Sequence, residues 1–411
     1  MDSWQDVIAD LKRGERVFVA GCAGEPGGFA KALSSTTAAP SDLTFVTVPL
    51  PGINATDWSA LSERAVQETI FLTPALREGF AAGRVRFTPA HYSTTFRRLC
   101  QPGSVDVAVV RVPPPADDGT VGLGTTADFA PAAIAAGARL YGAVDEHLPD
   151  PPDAPRYEVA RFHRMVEDGT AALQYRTSAV NPATAMIGQR IADLIAPGDT
   201  VQLGLGRVQP AVLTALSDHR DLALHGGMIA DATVDPAESG VFSRDITTGF
   251  AAGTEKLNEY LQSQPPIGFR DVGYTHGVAT IIGMPRFVAV NSVVCVDLFG
   301  QAVADMIDGR QISGHGGLVD FVRGANLSAG GRAILALPAT AGASRRSRIV
   351  PRIEGAVTVP RGDTHIIVTE HGARDVSSLD IDARAEAIIG LAAPTFRDDL
   401  ANAWASMRAA M

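Results

Sequence analysis

One cysteine lies in a stretch that combines a buried strand with side chains able to do chemistry. The segment NSVVCVDLFGQ, residues 291–301, places Cys295 among β-branched residues, with Asp297 two positions later. Such a run favours a buried strand, and residues two apart on a strand share a face. Cysteine in a buried strand is often an inert small hydrophobe, but its thiolate is a nucleophile. The segment alone therefore leaves two roles open for Cys295, packing and covalent catalysis.

A cysteine nucleophile requires a group that takes up its proton or stabilises the thiolate. A free thiol has a pKa of about 8.5, so only a small fraction is ionised near neutral pH. A histidine, a helix N-terminus or a cation shifts that balance. His276 and His315 are the candidate bases, with His225 as the third. Asp297 is either the carboxylate that orients such a histidine or a structural residue.

Four glycine-rich turns in the second half of the chain can present backbone N–H groups to a ligand. They are GLGR (204–207), HGGM (225–228), SGHGGLVDF (313–321) and LSAGGR (327–332). Successive N–H groups that point one way make an oxyanion site, although turn geometry alone also explains many glycines. The candidate oxyanion- and substrate-binding residues are Gly204, Gly206, His225, Gly226, Gly227, Asn291, Gly314, Gly316 and Gly317.

A run of arginines, RRSRIV at residues 345–350, is the candidate site for a phosphate-bearing ligand. Guanidinium groups match phosphate and carboxylate geometry. We therefore take Arg345, Arg346 and Arg348 as candidate coenzyme A contacts. A solvated surface run is the alternative interpretation of the same residues.

The composition excludes several classes of partner. The chain has 411 residues, 46% hydrophobic and 19% charged, with a net charge of −10. That acidity argues against nucleic acid and against an anionic membrane surface as a partner. Three cysteines without C-x-x-C spacing argue against a disulfide framework and a structural zinc site. We expect a cytoplasmic protein with no metal and no tightly bound cofactor.

Short apolar strands alternate with longer helical patterns, which predicts an α/β fold with largely parallel sheets. The predicted strands are 16–21, 43–49, 105–112, 138–144, 200–205, 222–226, 286–298, 333–338 and 365–369. The clearest helical patterns are 26–34, 183–194, 209–217, 381–392 and 396–410.

Two segments share one plan and indicate an internal repeat. GERVFVAGCAGEPGGFAKAL (14–33) and GDTVQLGLGRVQPAVLTAL (198–216) each give a strand, a glycine turn, a proline and an apolar helix. Between them, HLPDPPDAPR (147–156) is rich in prolines that cannot continue a helix or a central strand. We place the domain boundary within 150–182 and predict domains at 1–165 and 166–411.

A series of motifs resembles the acetyl-CoA hydrolase/transferase family, which includes 4-hydroxybutyrate CoA-transferase-like enzymes. The motifs are DVAVVRVPPPADDGTVGLG, VQLGLGRVQPAVL, NSVVCVDLFGQ, SGHGGLVDFVRGA, SAGGRAILALP, SRIVPRI, VTEHG and APTFRDDL. The resemblance covers nearly the whole chain. It implies two α/β domains of the CoA-transferase type, an acyl-CoA substrate bound in a cleft between them, and a homodimer. It also implies that the amides of residues 314–317 stabilise an oxyanion.

The chain departs from the family pattern at the decisive position. That pattern, N-S-A-x-E-V-D-L-x-G-Q, has a glutamate where Cys295 stands here. The glutamate attacks the acyl-CoA and then carries CoA as a glutamyl thioester. Three smaller departures are Gly226 and Gly227, where the family has a bulkier residue and an acid, and His276, where an asparagine is common. His315 stands at a variable family position.

A cysteine at this position changes which half of the thioester the enzyme can hold. CoA bound to a cysteine would be a disulfide. A cysteine therefore cannot carry CoA from one carboxylic acid to another. A thiolate can instead take the acyl group and release CoA. We therefore expect an acyltransferase whose acceptor is a small molecule or a carrier-protein thiol. The alternatives are a thioesterase and a non-catalytic acyl-CoA-binding relative.

Overall fold

The protein, seen in a computed structural model that describes residues 2–177, 179–342 and 346–411, folds into two compact units. The first unit holds the chain up to Arg176 together with Gly227–Asp231 and Ile246–Thr275. The second holds Thr177–Gly226, Ala232–Asp245 and His276–Met411. Each unit is therefore built from more than one stretch of the chain.

The strands are short and are spread over the whole described chain. In chain order they are β1 (Arg16–Val19), β2 (Thr44–Thr47), β3 (Val66–Thr69), β4 (Val85–Phe87), β5 (Val107–Val112), β6 (Thr120–Gly122), β7 (Arg139–Val144), β8 (Arg156–Glu158), β9 (Phe162–Glu167), β10 (Thr200–Leu203), β11 (Ala223–Ile229), β12 (Ile246–Ala251), β13 (Ile267–Phe269), β14 (Phe287–Ser292), β15 (Cys295–Asp297), β16 (Ala302–Val303), β17 (Met306–Ile307), β18 (Arg310–Gln311), β19 (Arg332–Ala336), β20 (Thr340–Ala341), β21 (Arg346–Ser347), β22 (Ile349–Val350), β23 (Ile366–Thr369) and β24 (Gly372–Asp375).

The helices alternate with these strands. They are α1 (Trp4–Asp10), α2 (Gly27–Ser34), α3 (Arg77–Ala81), α4 (Tyr92–Leu99), α5 (Ala130–Ala135), α6 (Pro182–Ala192), α7 (Val208–Ala215), α8 (Val234–Glu238), α9 (Glu255–Gln262), α10 (Val272–Thr275), α11 (Val278–Ile282), α12 (Leu318–Leu327), α13 (Ile381–Leu391) and α14 (Arg397–Ala409). Within the ranges that the structure describes, no helix has the length and apolar character needed to cross a bilayer.

The first unit is organised around a seven-stranded parallel sheet in the order β4-β3-β2-β1-β5-β7-β9. All six residues of β5, VAVVRV, are buried. A central parallel strand is covered on both faces, and this explains why five of its six residues are apolar and why its one charged residue, Arg111, is paired with Asp145 and Asp168. The parallel pair β12-β13 also belongs to this unit.

The second unit contains the strands β10-β14-β19-β23-β24 in that order, with the Ala223–Gly226 part of β11 beside β10. The pairs from β10 to β23 are parallel, and β24 is antiparallel to β23. A small sheet, β16-β15-β22, stands apart from this one. Helix α6 begins at a capping box, in which the Asn181 side chain accepts from the Thr184 N–H and the Thr184 hydroxyl accepts from the Asn181 N–H.

The structure confirms the α/β fold with parallel sheets and the shared plan of the two repeated segments. Each begins with a strand, β1 or β10, that passes through a glycine-containing turn into a helix, α2 or α7. The predicted strand 286–298 is the main local difference. It divides into β14 and β15, with a break at Val293 and Val294.

Candidate active site

The site lies where four parallel strands of the second unit end. Strands β10, β14, β19 and β23 end at Leu203, Ser292, Ala336 and Thr369, on one edge of their sheet. In open α/β sheets ligands bind outside the carboxyl ends of the strands. The segments that follow these four strands therefore supply the candidate catalytic groups.

Cys295 begins strand β15, just beyond the end of β14. Strand β15 pairs antiparallel with β16, where Cys295 lies opposite Val303, and parallel with β22, where Val296 lies opposite Ile349. Arg348 precedes Ile349 just as Cys295 precedes Val296, so Arg348 lies beside Cys295 in the pairing with β22. The Arg348 carbonyl accepts a hydrogen bond from the Val296 N–H at 2.9 Å. Neighbouring cross-strand residues project to the same face. The half-buried Cys295 thus has a cation as its neighbour.

Some groups around the Cys295 thiol raise its pKa and others lower it. Burial, and after it the charge of Asp297, raises the pKa of Cys295. The Arg348 guanidinium and the Val303 N–H oppose that rise because both stabilise the thiolate. The balance leaves the resting thiol protonated near neutral pH, so covalent chemistry requires a base.

Arg348 is held by its backbone while its side chain lacks a counter-charge. Its N–H donates to the Ala339 carbonyl at 2.9 Å. Among the described residues, its buried Nε has no hydrogen-bond partner. Burial and then the charge of Arg207 lower the pKa of Arg348, and Glu370 acts in the opposite direction. Arginine nevertheless remains charged in proteins.

The GLGR turn brings Arg207 to the same edge. A Cβ on Gly204 would lie 2.5 Å from Asn291 Oδ1, and one on Gly206 would lie 3.4 Å from Ser292 Oγ. Gly206 also has a φ of +127°, a conformation that side-chain-bearing residues rarely adopt. The two glycines therefore allow the turn to approach the end of β14, and Arg207 follows directly.

Asn291 takes part in a buried pair of amides. Its Nδ2 donates to Gln202 Oε1 at 3.0 Å, and Gln202 Nε2 donates back to Asn291 Oδ1 at 3.5 Å. This pair joins strands β10 and β14 beneath the GLGR turn. Both amide side chains are thus engaged with one another.

His315 is the histidine that has an orienting carboxylate. Its Nδ1 lies 3.5 Å from Asp305 Oδ2, and Asp305 also accepts from Gln311 Nε2 at 2.8 Å and Thr358 Oγ1 at 2.7 Å. Asp305 lies two residues after Val303, the cross-strand neighbour of Cys295. A base held by a carboxylate is the arrangement that activates nucleophiles in other enzymes.

His276 and His225 occupy a different environment. Burial, with a smaller contribution from the charge of His225, lowers the pKa of His276 to about 3. Its ring lies 4.5 Å from the Phe321 ring, centroid to centroid, and Gly317 leaves it the space that a Cβ would fill. His225 is also buried and has an edge-to-face contact with Phe287. Burial therefore favours the neutral imidazole at His276, and both rings pack against aromatic side chains.

The remaining glycine candidates are spread over several positions. Gly316 has a φ of +53° in the turn that ends where helix α12 begins, with Gly314 earlier in the same turn. A Cβ on Gly226 would meet only Gln202 Cγ, at 3.6 Å. Gly227 belongs to the first unit, whereas Gly226 belongs to the second.

The arginine run does not act as one cluster. Arg346 is exposed, and its guanidinium pairs with Asp308 at 3.2 Å. Arg348, two residues later, stands beside Cys295. Arg345 lies outside the described residues. The interpretation of the run as a single phosphate site is therefore not what the contacts favour.

Asp297 is a structural carboxylate. It is fully buried and accepts from the N–H groups of Phe299, Gln301 and Ile353 and from Gln301 Nε2, at 2.9 to 3.2 Å. These bonds fix the turn after β15. Among the two interpretations left open by the sequence, the contacts favour the structural one.

Two residues near Cys295 carried too little signal for sequence reasoning to select them. Arg207 lies inside a turn chosen for its glycines, and Asp305 is one acid among 45 acidic residues. Within the part of the chain that the structure describes, no group of three His, Cys, Asp or Glu side chains is arranged to hold a metal ion.

Comparison with known proteins identifies the family. The model of the acetyl-CoA hydrolase/transferase N-terminal domain matches residues 1–151, and that of the C-terminal domain matches residues 253–404. The 4-hydroxybutyrate coenzyme A transferase of Clostridium kluyveri is 30% identical, over 97% of this chain and 95% of its own. The butyryl-CoA:acetate CoA-transferase of Anaerostipes caccae is 33% identical, over 79% and 76%.

Solved structures agree with this assignment. RipA from Yersinia pestis is 29% identical, with a TM-score of 0.91 over 99% of this chain and 97% of that chain. The 4-hydroxybutyrate CoA-transferase of Porphyromonas gingivalis is 25% identical, with a TM-score of 0.81 over 100% and 97%. Sequence, fold and the edge of strands that carries Cys295 lead to one conclusion: the chain belongs to the acetyl-CoA hydrolase/transferase family.

Proposed function

We propose that the protein is an acyl-CoA-dependent acyltransferase in which Cys295 carries the acyl group as a thioester. The observation that supports this most is the place of Cys295. Its half-buried thiol lies beyond the carboxyl end of strand β14, with Arg348 beside it in the register with β22. Asp305, which contacts His315, lies two residues after Val303, the cross-strand partner of Cys295. A cation and a carboxylate-bound histidine are the two influences that activate a thiol.

In the first half-reaction His315 takes the proton of Cys295, and the thiolate attacks the carbonyl carbon of the acyl-CoA. The negative charge that develops on the carbonyl oxygen is stabilised by N–H groups of residues 314–317, at the start of helix α12. The bond between that carbon and the CoA sulfur then breaks, and the CoA thiolate takes the proton from His315. An acyl-Cys295 thioester and free CoA result.

In the second half-reaction an acceptor nucleophile gives its proton to His315 and attacks the acyl carbon. The bond to Cys295 Sγ breaks, and the sulfur recovers its proton from His315. No oxidant or reductant takes part in either step. The acceptor is an amine, alcohol, carbanion or carrier-protein thiol, because attack by a carboxylate would leave a reactive anhydride.

Intact-protein mass spectrometry tests the covalent step. After brief mixing with acetyl-CoA, butyryl-CoA or succinyl-CoA, the parent protein should gain the mass of the acyl group, and Cys295→Ala should gain none. Cys22→Ala is the matched control, since it removes a thiol of the first unit, and it should keep the adduct. Turnover of any thioester by Cys295→Ala at the parent's rate would end the proposal, because catalysis would then not depend on Cys295.

A second substitution tests the chemistry of the side chain. Cys295→Glu supplies a carboxyl carbon, so after mixing with acyl-CoA it should gain the mass of CoA, less water, in place of the acyl mass. An acyl adduct that peptide mapping places on a residue other than 295 in the Glu variant would show that another residue is the nucleophile.

Hydrolysis is the second candidate because the family description includes acetyl-CoA hydrolases. The lifetime of the acyl-enzyme in buffer distinguishes transfer from hydrolysis. An acyl-enzyme that survives in buffer until an amine or thiol is added supports transfer, whereas rapid loss of the acyl mass in buffer supports a thioesterase.

A further inference from the structure

Two arginines at the active-site edge have no carboxylate partner. Among residues 2–177, 179–342 and 346–411, neither Arg207 nor Arg348 forms an ion pair within 4.0 Å. Two other buried or half-buried guanidiniums have carboxylate partners: Arg111 pairs with Asp145 and Asp168, and Arg332 pairs with Asp199. Arg348 is half-buried, whereas Arg207 is exposed. A half-buried charge without a counter-charge is costly, so Arg348 in particular requires an explanation.

The register places Arg348 next to Cys295, and Arg207 lies in the turn that follows strand β10. Arg348 is the cross-strand neighbour of Cys295, and Arg207 follows the glycine that approaches Ser292. The charges of Arg207 and Arg348 act on one another. Glu370, which follows strand β23, also faces Arg348, but its carboxylate is engaged by the Ala339 N–H at 2.8 Å. The local excess of charge is therefore positive.

We propose that Arg207 and Arg348 form a carboxylate-binding subsite beside Cys295, for a substrate that carries a carboxylate near its reacting carbon. The inference rests on the proposed function because it takes Cys295 as the attachment point of the acyl group. Guanidinium groups bind carboxylates through paired hydrogen bonds. The phosphates of CoA are the other anions at hand, but the pantetheine arm holds them far from the thioester carbon. The carboxylate belongs either to the acyl group or to the acceptor.

The acyl side is tested by equilibrium titration of the Cys295→Ala variant, which cannot form the adduct. Butyryl-CoA and succinyl-CoA have the same four-carbon chain and differ by the terminal carboxylate. Succinyl-CoA should bind at least about tenfold more tightly, the effect of a hydrogen bond to a charged group. Adding Arg207→Gln should reduce that preference severalfold. The matched control is Arg346→Gln, which removes an exposed arginine already paired with Asp308 and should leave the preference intact.

The acceptor side is tested with the butyryl-enzyme of the parent protein. β-Alanine and propylamine present the same amine with and without a carboxylate, and the rate of loss of the butyryl mass is measured. A preference for β-alanine that Arg207→Gln reduces, with no preference in the titration, assigns the subsite to the acceptor. Equal binding of the two thioesters without faster transfer to β-alanine overturns the subsite. So does a preference that Arg207→Gln leaves unchanged. If no butyryl-enzyme forms, the proposed function fails, while the titration still decides the subsite.

Discussion

Cys22 of the first unit and Cys295 of the second occupy similar places in the chain and opposite chemical environments. Each follows a strand of a parallel sheet, β1 or β14. Cys22 is fully buried, and its thiol points to Asp128 Oδ2 at 3.7 Å. Cys295 is half-buried and has Arg348 as its neighbour. Burial and the Asp128 charge raise the pKa of Cys22 well above the ordinary range, whereas Arg348 limits the rise at Cys295.

The neighbouring charge and the depth of burial, more than the local strand and turn, distinguish the two thiols. The backbone of Cys22 is also fixed. Its N–H donates to Asn54 Oδ1 at 3.1 Å, and its carbonyl accepts from Asn54 Nδ2 at 3.0 Å. These bonds hold Cys22 at a φ of 54° inside the core. Cys295, by contrast, begins strand β15 just beyond the carboxyl end of β14 and is only half-buried.

The largest expected effect is on alkylation of the two thiols in the native protein. A buried thiol reacts only after local opening, which costs several kcal/mol in a core. Iodoacetamide at pH 8 should therefore modify Cys295 about a thousandfold faster than Cys22, as measured by quantitative peptide mass spectrometry. Similar rates for both would show that exposure and charge do not distinguish them. Urea-unfolded protein, in which both should react alike, is the control.

The second-largest expected effect tests whether His315 is the base that takes the proton of Cys295. General bases contribute about 10²- to 10⁴-fold, so His315→Gln should slow formation of the acyl-enzyme by about a hundredfold or more. Asp305→Asn, which weakens the orienting contact, should slow it less and should shift the pH profile. The rate is followed by stopped-flow release of CoA. If His276→Gln reproduces the loss and His315→Gln does not, the base has been misassigned.

A smaller effect tests the cation next to Cys295. Arg348→Gln removes a charge that favours the thiolate, so the thiol pKa should rise and alkylation of Cys295 at pH 8 should slow about tenfold per unit of that rise. The loss should diminish at higher pH, where both proteins become thiolates. Arg346→Gln, two residues away, is the matched control and should keep the parent's profile of alkylation rate against pH.

The smallest effect concerns the acid beside Cys22. Burial raises the pKa of Asp128 to about 7, so between about pH 4 and 7 the folded protein binds a proton that the unfolded chain releases. The contribution of Asp128 to stability is thus fully present below about pH 4 and is lost as the pH rises through about 7, by up to about 1.4 kcal/mol per pH unit.

Asp128→Asn should remove this dependence. Its free energy of unfolding relative to the parent should improve from pH 5 to pH 8, measured by urea denaturation at both values. The exposed Asp117→Asn is the control and should show no such change. A constant difference between Asp128→Asn and the parent across this range would mean that Asp128 is ionised in the folded protein.

The fold was more accessible from the sequence than the site. Largely apolar strands such as β5 and amphipathic helices such as α6 follow from local pattern, because burial and periodicity are properties of neighbouring residues. The break between β14 and β15 was missed because VVCV is an unbroken apolar run. That break arises from pairing with β22, more than 50 residues later, which leaves no local trace.

The candidate site could also be predicted only where local sequence was enough. Cys295 could be selected because a thiol replaces the carboxylate implied by the family resemblance, and His315 could be named among the candidates. Its partner Asp305 and the burial of His276 depend on contacts between distant segments. The arginine run was interpreted as one phosphate site because adjacent residues look like one cluster. In the structure Arg346 pairs with Asp308 and Arg348 stands beside the thiol.

The composition of the first unit has a consequence for its synthesis. Strands β12 and β13 belong to it but are encoded 70 to 93 residues after Arg176, and the last stretch of the unit ends at Thr275. A ribosome adds about 5 to 20 residues per second, so the nascent first unit waits roughly 5 to 20 s for its last segment. During that interval its apolar surface is open to chaperones and to other nascent chains. A gene truncated at Arg176 would keep the protein in that incomplete state permanently.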